Sequence, residues 1–212
     1  MRMQQSSTVL GLTLDNGLLT AAEFKRPNGS ARLLRQTKAP LTLNPLRDEP
    51  ELVGREIRNL LNQAQISTKT CVVGVPVHWM LTVHVKLPVI EEADLPGLLE
   101  IEAERGFPCN VDELQISTQL YQTGQGERYA SIIGVPKAYL ERLEAVLVAA
   151  QLKPASFSIG LASLPEALTG TVTVEIADSR LDLLLGTPAG IVSLRTIESA
   201  FDSEGADRRV QT

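Results

Sequence analysis

Aromatic side chains are scarce in this sequence: one Trp, three Tyr and four Phe among 212 residues. Proteins that hold single-stranded nucleic acid stack bases on aromatic platforms, and this chain has few to offer. Positive charge is not in excess either. Lys plus Arg number 20 against 25 Asp plus Glu, a formal charge of −5. A phosphate-neutralising surface needs the opposite balance, so no nucleic-acid partner is expected. Long apolar runs are missing. The strongest, such as Leu143 to Ala150, fall far short of the ~20 residues that cross a bilayer, and "MRMQQSSTVL" has no apolar core of signal-peptide length. The expectation is a soluble, cytoplasmic chain with no direct membrane insertion. The two cysteines, Cys71 and Cys109, do not form a CxxC pair and read as reduced thiols rather than a disulfide.

Chemistry-bearing clusters are equally sparse. His78 and His84 are the only histidines, with no Cys or carboxylate at ligand spacing, so no metal site is expected. No Ser sits in a nucleophile-elbow context. Glu100, Glu102 and Glu104 alternate along a helix, so they cannot converge and read as a solvated face. The Gly124-Gln125-Gly126 turn leads into a strand rather than a helix N-terminus, which excludes a phosphate loop. No repeat of fixed period is present. No catalytic residue is assigned, and the chain is not expected to be an enzyme.

What is present is an ordinary globular composition, 43% apolar and 21% charged, long enough to bury a core. Thr8–Leu14 and Leu18–Phe24 alternate as strands around Asp15-Asn16-Gly17, whose residues tolerate the positive φ of a tight hairpin. Pro27-Asn28-Gly29 marks a second turn into a strand over Ala31–Lys38. Asp48 and Glu51 stand at capping-box spacing before a helix with Leu52, Val53, Ile57, Leu60 and Leu61 on one face, running to Gln65. "KTCVVGV" reads as a buried strand. A second block follows: a strand over Trp79–Leu87, a helix opened by Asp94 and carrying Leu95, Leu98, Leu99 and Ile101, strands over Glu113–Tyr121 and Tyr129–Val135, and a helix after Pro136. Its buried face is Leu140, Leu143, Val146 and Leu147. Beyond Lys153-Pro154, a short strand and helix occupy Phe157–Leu168. Val172–Leu185 and Ile191–Ile197 form strands, and a polar tail follows Ser199.

Four stretches carry a resemblance: "GLTLDNGLLTAAEF", "VKLPVIEEADLPGLLEIEAERGFPCNVDELQIS", "ASIIGVPKAYLERLEAVLVAAQLKPASFSIGLASLPEAL" and "VTVEIADSRLDLLLGTPAGIVSLRTI". The chain resembles PilM-type proteins of type IV pilus assembly, members of the actin-like ATPase superfamily, and the related cytoplasmic part of type II secretion protein L. The Glu100-Ile101-Glu102-Ala103-Glu104 run followed by Phe107-Pro108 is its most specific element. The resemblance spans Val9 to about Ile197 and implies an α/β, actin-like (ribonuclease H-like) first half with an inserted βαββα subdomain. It places residues 8–76 and 153–170 in the first subdomain, 77–152 in the insert and 171–200 at the start of a second half cut short after its first hairpin, with 201–212 as a polar tail.

The same resemblance locates a nucleotide site between the halves and shows its residues replaced. Aligned on Gly11, Thr13 stands at the metal-side Asp, Asp15 at the close-approach Gly and Thr20 at the Lys, flanking Asn16 and Gly17 in the turn. In the second hairpin Glu175 replaces Asp and Ala177 replaces Gly, with Asp178 beside it. A carboxylate about 4 Å from a phosphate oxygen costs ~4 kcal/mol at an effective dielectric near 20, roughly a thousandfold in affinity. Only a metal or a cation would offset that loss; no lysine lies within either hairpin, and Arg180 is the one nearby cation available for that role. No cofactor is therefore expected, neither ATP nor Mg²⁺. The family's role implies a cytoplasmic scaffold, held at the inner membrane by a partner whose short cytoplasmic tail it grips. Val75, Pro76, Trp79, Met80 and Leu81 are the candidate lining, through main-chain pairing or apolar pockets. The alternative is an actin-like ATP-binding protein whose second half is absent from this chain. An exposed edge would also promote a homodimer, with Leu183, Leu184, Leu185 and Ile191 as its apolar surface.

Overall fold

A computed structural model describes residues 8–25, 30–160, 172–177, 180–187 and 190–198. Contacts divide the chain into two units: Met1–Pro76 with Ala138–Gly160, and Val77–Lys137 with Leu161–Thr212.

The first unit is a mixed five-stranded sheet with two helices. Its strands β1 (Thr8–Asp15), β2 (Leu18–Lys25), β3 (Arg32–Pro40), β4 (Thr70–Val75) and β8 (Lys153–Ile159) lie in the order β3-β2-β1-β4-β8. β1 to β3 are an antiparallel meander, while β4 runs parallel to both β1 and β8. The hairpin turns as its residue types require: Asn16 has φ 49° and Gly17 φ 66°, the positive pair of a two-residue connection. Alternation in β1 sends Leu10, Leu12 and Leu14 into the core with Leu19, Ala21, Cys71 and Val73. Helices α1 (Pro50–Gln63) and α3 (Lys137–Ala149) bring Val53, Ile57, Leu61, Leu143, Val146 and Leu147 to the core. Each fully buried Leu contributes ~1.5–3 kcal/mol.

α1 and α3 meet at Gly54, where an added Cβ would stand 2.6 Å from the Cβ of Ala149. The Arg58 guanidinium donates to the carbonyls of Ala149 and Ala150, which have no helical partner at that terminus. These contacts place α3 in the first unit, correcting its assignment to the insert. The sequence puts α3 directly after an insert strand, and adjacency along the chain concealed where it packs.

Among the described residues, the second unit holds two three-stranded sheets. β5 (Leu81–Lys86), β6 (Leu114–Gln122) and β7 (Arg128–Pro136) are ordered β5-β7-β6. Helix α2 (Leu95–Gly106) contributes Leu95 and Ala103 to its core, beside Phe107, Leu114, Ala130 and Ile132. β9 (Val172–Ala177), β10 (Arg180–Thr187) and β11 (Gly190–Ile197) form an antiparallel meander, β11-β10-β9. β11 is tied to the other sheet by side chains: Thr82 donates to the Leu194 carbonyl at 3.0 Å, Ser131 to the Ile191 carbonyl at 2.6 Å, and the Gln119 amide oxygen accepts from the Ile191 N–H at 2.8 Å.

Several sequence expectations shift by a face or a turn. α1 starts at N-cap Glu49, without a side-chain cap bond. Asp48 instead accepts from the Asn44 N–H at 2.6 Å, so the capping box does not form. Asp94 is an N-cap, also without a side-chain bond. Leu52 and Ile101, counted among the apolar residues of their helices, are 46% and 52% exposed. Ala103, two residues on, is in the core at 3% exposure. The Pro27-Asn28-Gly29 turn, the segment 161–171 and the tail after residue 198 lie outside the described residues.

Candidate functional site

The first candidate is the face of the five-stranded sheet that β1 turns away from the two helices. Gly11, Thr13 and Asp15 alternate onto it, opposite Ala22, Thr20 and Leu18 in the β1–β2 register. Gly74 of β4 lies beside Thr13. A Cβ at Gly74 would come within 2.6 Å of the Thr13 Cγ2, so the threonine methyl occupies the room that Gly74 leaves. Where a metal-side carboxylate was sought there is thus a methyl packed on backbone. Thr20 is exposed on the same face, and Asn16 and Gly17 are exposed at the tip. The Gly17 carbonyl accepts from the Leu41 N–H at 2.7 Å, which anchors the turn to the loop after β3.

The sequence reading missed one cation. Lys38 of β3 stands opposite Thr20 in register, exposed on that face. It escaped notice because it lies outside the hairpin in sequence and joins it only through β2–β3 pairing. Glu23, by contrast, faces the core side at 2% exposure. It accepts from Arg35 at 2.7 Å, from the Thr68 hydroxyl at 2.6 Å and from the Thr68 N–H at 3.1 Å. The Thr68 hydroxyl, aided by Arg35 and working against burial, lowers the Glu23 pKa below the usual carboxylate value. Glu23 is a structural tie between β2, β3 and the segment before β4.

In the second hairpin, Glu175 is exposed on β9, while Asp178 and the Ala177 side chain lie outside what is described. Arg180, the cation nearest that hairpin in the sequence, is largely buried. Its side chain is 9% exposed, and its Nε donates to Asp182 at 3.0 Å. Asp182 also accepts from the Thr196 hydroxyl at 2.5 Å. A charge held in a buried pair is compensated where it stands, and removing either partner would leave the other uncompensated.

The candidate partner-binding residues divide by burial. Val75 and Pro76, at the end of β4, are buried and present no side-chain surface. A single 3-10 turn, Val77–Trp79, follows in the second unit, closed by the Met80 N–H donating to the Val77 carbonyl at 2.9 Å. Trp79, Met80 and Leu81 are half-buried. Trp79 meets His78 edge-on, with ring centroids 5.9 Å apart. Beside them is a cleft of about 260 Å³, lined by Val77, His78, Met80, Thr82, Leu194, Arg195 and Thr196. It is mixed in character: Met80 offers apolar surface and Arg195 offers donors, whereas Leu194 is buried and the Thr82 and Thr196 hydroxyl protons are already given to the Leu194 carbonyl and to Asp182. His84 donates through Nδ1 to the Ser131 hydroxyl oxygen at 3.0 Å, since the Ser131 proton goes to the Ile191 carbonyl. Burial, and then the charge of Arg195, lower its pKa, so it is neutral at physiological pH.

A second cleft of about 230 Å³ opens where α1 and α3 end, beside Arg58, Lys69 and Gln151. Arg58 is already engaged with helix-end carbonyls there, which marks the cleft as structural. Cys71 is buried and Cys109 half-buried, both free. Burial pushes the Cys71 thiol up to about 11, so it stays protonated and unreactive. Glu100 and Glu104 are exposed, and Glu102 sits 3.4 Å from Arg105. Among the described residues no group of three or more His, Cys, Asp or Glu converges, and no helix is long and apolar enough to cross a membrane.

Neither protein-family models nor curated protein sequences match this chain. Solved structures do. A chain of a PilM-PilN type IV pilus biogenesis complex aligns over 98% of this chain and 67% of its own length, with TM-score 0.73 and 17% identity. The cytoplasmic domain of EpsL, an inner-membrane component of the type II secretion system of Vibrio cholerae, aligns over 97% and 76%, with TM-score 0.61 and 12% identity. The ethanolamine utilization protein EutJ from Carboxydothermus hydrogenoformans aligns over 98% and 59%, with TM-score 0.50 and 8% identity. At these identities the likeness is one of fold. The α/β fold expected from the resemblance is the fold found, shared with pilus and secretion assembly proteins.

Proposed function

We propose that this chain is a cytoplasmic scaffold of a type IV pilus or type II secretion inner-membrane assembly platform. It binds the cytoplasmic tail of a membrane partner, has a degenerate nucleotide site and carries out no catalysis. The observation that carries this reading is the fold shared over 98% of the chain with a PilM-PilN biogenesis complex. The half-buried Trp79, Met80 and Leu81, beside a cleft of about 260 Å³, support it. An extended tail needs apolar pockets and a few donors to fix its orientation, and Met80 and Arg195 are of those types. Tryptophan is enriched among residues that dominate binding energy. In this reading the membrane partner holds the chain at the membrane. The test is reconstitution. The chain should bind vesicles bearing the inner-membrane protein encoded beside it, and lose them when that protein's cytoplasmic tail is deleted. Equal recovery with and without the tail would refute the reading.

One observation favours a second reading, an actin-like ATP-binding protein whose second half lies outside these residues. Gly11, Ala22 and Gly74 keep a face of small residues, and Lys38 supplies a cation to it. Against it stand Thr13, packed on Gly74, and Arg180, held by Asp182. Under the scaffold reading, millimolar ATP with Mg²⁺ leaves the melting temperature of the protein unchanged. A saturable rise would favour the second reading.

A further inference from the structure

We propose that the tail held beside Trp79 is recognised through an acidic side chain: one Asp or Glu carboxylate docks on the Arg195 guanidinium in the cleft, with an apolar residue of the same tail seated on Met80. The inference rests on the scaffold reading and adds which residue type the tail must carry.

The whole chain is acidic, at −5, but the lining of this cleft is not. Of the residues that line it, Arg195 alone is permanently charged, and none is a carboxylate. Other charges near it are already engaged. On β5, Lys86 is paired with Glu127 at 2.5 Å. On β10, Arg180 holds Asp182 at 3.0 Å, and the Thr196 hydroxyl donates to that same carboxylate. Arg195 itself is exposed on β11, and among the described residues no hydrogen bond or ion pair occupies its guanidinium. Its charge nevertheless reaches His84, where it is the second cause, after burial, of a lowered pKa. Thr82 and His84 alternate onto one face of β5, so the positive charge lies within reach of the strand face that borders the cleft.

The apolar side chains of β10 and β11 are largely taken up within the unit. Leu184 and Leu194 are buried at 5% and 2% exposure, and Leu183, Leu185 and Ile191 are half-buried. This corrects the apolar homodimer surface expected from the sequence. What β11 offers at the cleft is a cation rather than a leucine stripe.

One cation also sets the class of ligand. A guanidinium fork meets a carboxylate with two parallel N–H···O bonds, and its single charge balances a monoanion. A phosphate group carries about −1.5 to −2 near neutral pH and needs a second cation. Lys86 and Arg180, both paired, do not supply one, and His84 is neutral at that pH.

The test is a calorimetric titration of the 212-residue protein with a synthetic peptide of the cytoplasmic tail from the adjacent inner-membrane protein. The peptide is acetylated and amidated, so that every carboxylate left is a side chain. Each Asp and Glu is then replaced in turn by Asn or Gln. One replacement should weaken binding to the wild type about tenfold, as for a hydrogen bond to a charged group. Arg195→Gln should weaken the parent peptide equally, with circular dichroism unchanged, and should be indifferent to that replacement. Arg195→Lys keeps the charge without the fork and should fall between. At saturation, the His84 ring should titrate at higher pH with the parent peptide than with its neutral variant, because the bound carboxylate offsets Arg195. The other groups on that sheet face, Lys86 on β5, Tyr129 and Ser131 on β7 and Tyr121 on β6, with Glu127 before β7, are common to both complexes. A parent peptide that binds wild type and Arg195→Gln equally overturns the inference and leaves the scaffold reading standing. So does a tail in which no acidic position matters, or a His84 titration that does not move. A tail that fails to bind the wild type overturns both.

Discussion

Gly54 sets two effects of opposite sign against each other. Replacing a helix-interior Gly with Ala gains up to about 1 kcal/mol in helix propensity. Here the new Cβ would stand 2.6 Å from the Ala149 Cβ and 2.7 Å from backbone atoms of Ala149 and Ala150. Overpacking of that kind costs ~1–3 kcal/mol, and backbone cannot rotate aside as a side chain can. Gly54→Ala should therefore lower the urea midpoint, although propensity alone predicts a rise. Glu23 makes a second prediction. Its pKa is lowered in the folded protein, chiefly by the Thr68 hydroxyl. Its contribution is thus fully present above the unfolded carboxylate value of about 4.5 and is lost as pH falls through the lower folded value. Glu23→Gln should flatten the fall in stability below about pH 4.5, as read by urea titrations across that range. At this scale the sequence showed residue types but not their neighbours. Arg180 looked available because Asp182 and Thr196 come to it only through strand pairing.

At the scale of elements, periodicity located nearly every described strand and helix but not always the face each buries. The hairpin at Asp15-Asn16-Gly17 was legible because positive φ demands those residues. The exposure of Leu52 and Ile101 was not legible because a helical repeat defines a stripe without defining how wide it is or what covers its rim. α3 was assigned to the wrong unit because its partner, Gly54, lies far off in sequence and carries no side chain to signal a contact. The failed capping box yields a prediction of its own. N-cap Glu49, with φ −53° and ψ 126°, makes no side-chain cap bond. Ser, Thr, Asp and Asn caps stabilise helices by ~0.5–2 kcal/mol over residues that cannot cap. Glu49→Asp should raise the melting temperature, and an unchanged or lower value would show that the Asn44–Asp48 loop already determines how α1 begins.

At the scale of the whole molecule, the resemblance visible in four stretches of sequence is matched by a shared fold at TM-scores of 0.73 and 0.61, despite identities too low for the likeness to show in composition. Less legible was the candidate site. Its residue types were readable at Thr13, Asp15 and Thr20, but Lys38 and the Met80–Leu194 cleft depend on register and sheet packing. The central claim is that the surface around Trp79 grips a membrane protein's cytoplasmic tail. The most direct measurement is a fluorescence titration of Trp79, the single tryptophan, with a synthetic peptide of the cytoplasmic tail from the adjacent inner-membrane protein. A saturable change in Trp79 emission is expected, and Met80→Glu should weaken the binding at least tenfold, about 1.4 kcal/mol. An emission spectrum unchanged up to millimolar peptide, or binding that Met80→Glu leaves intact, would contradict it.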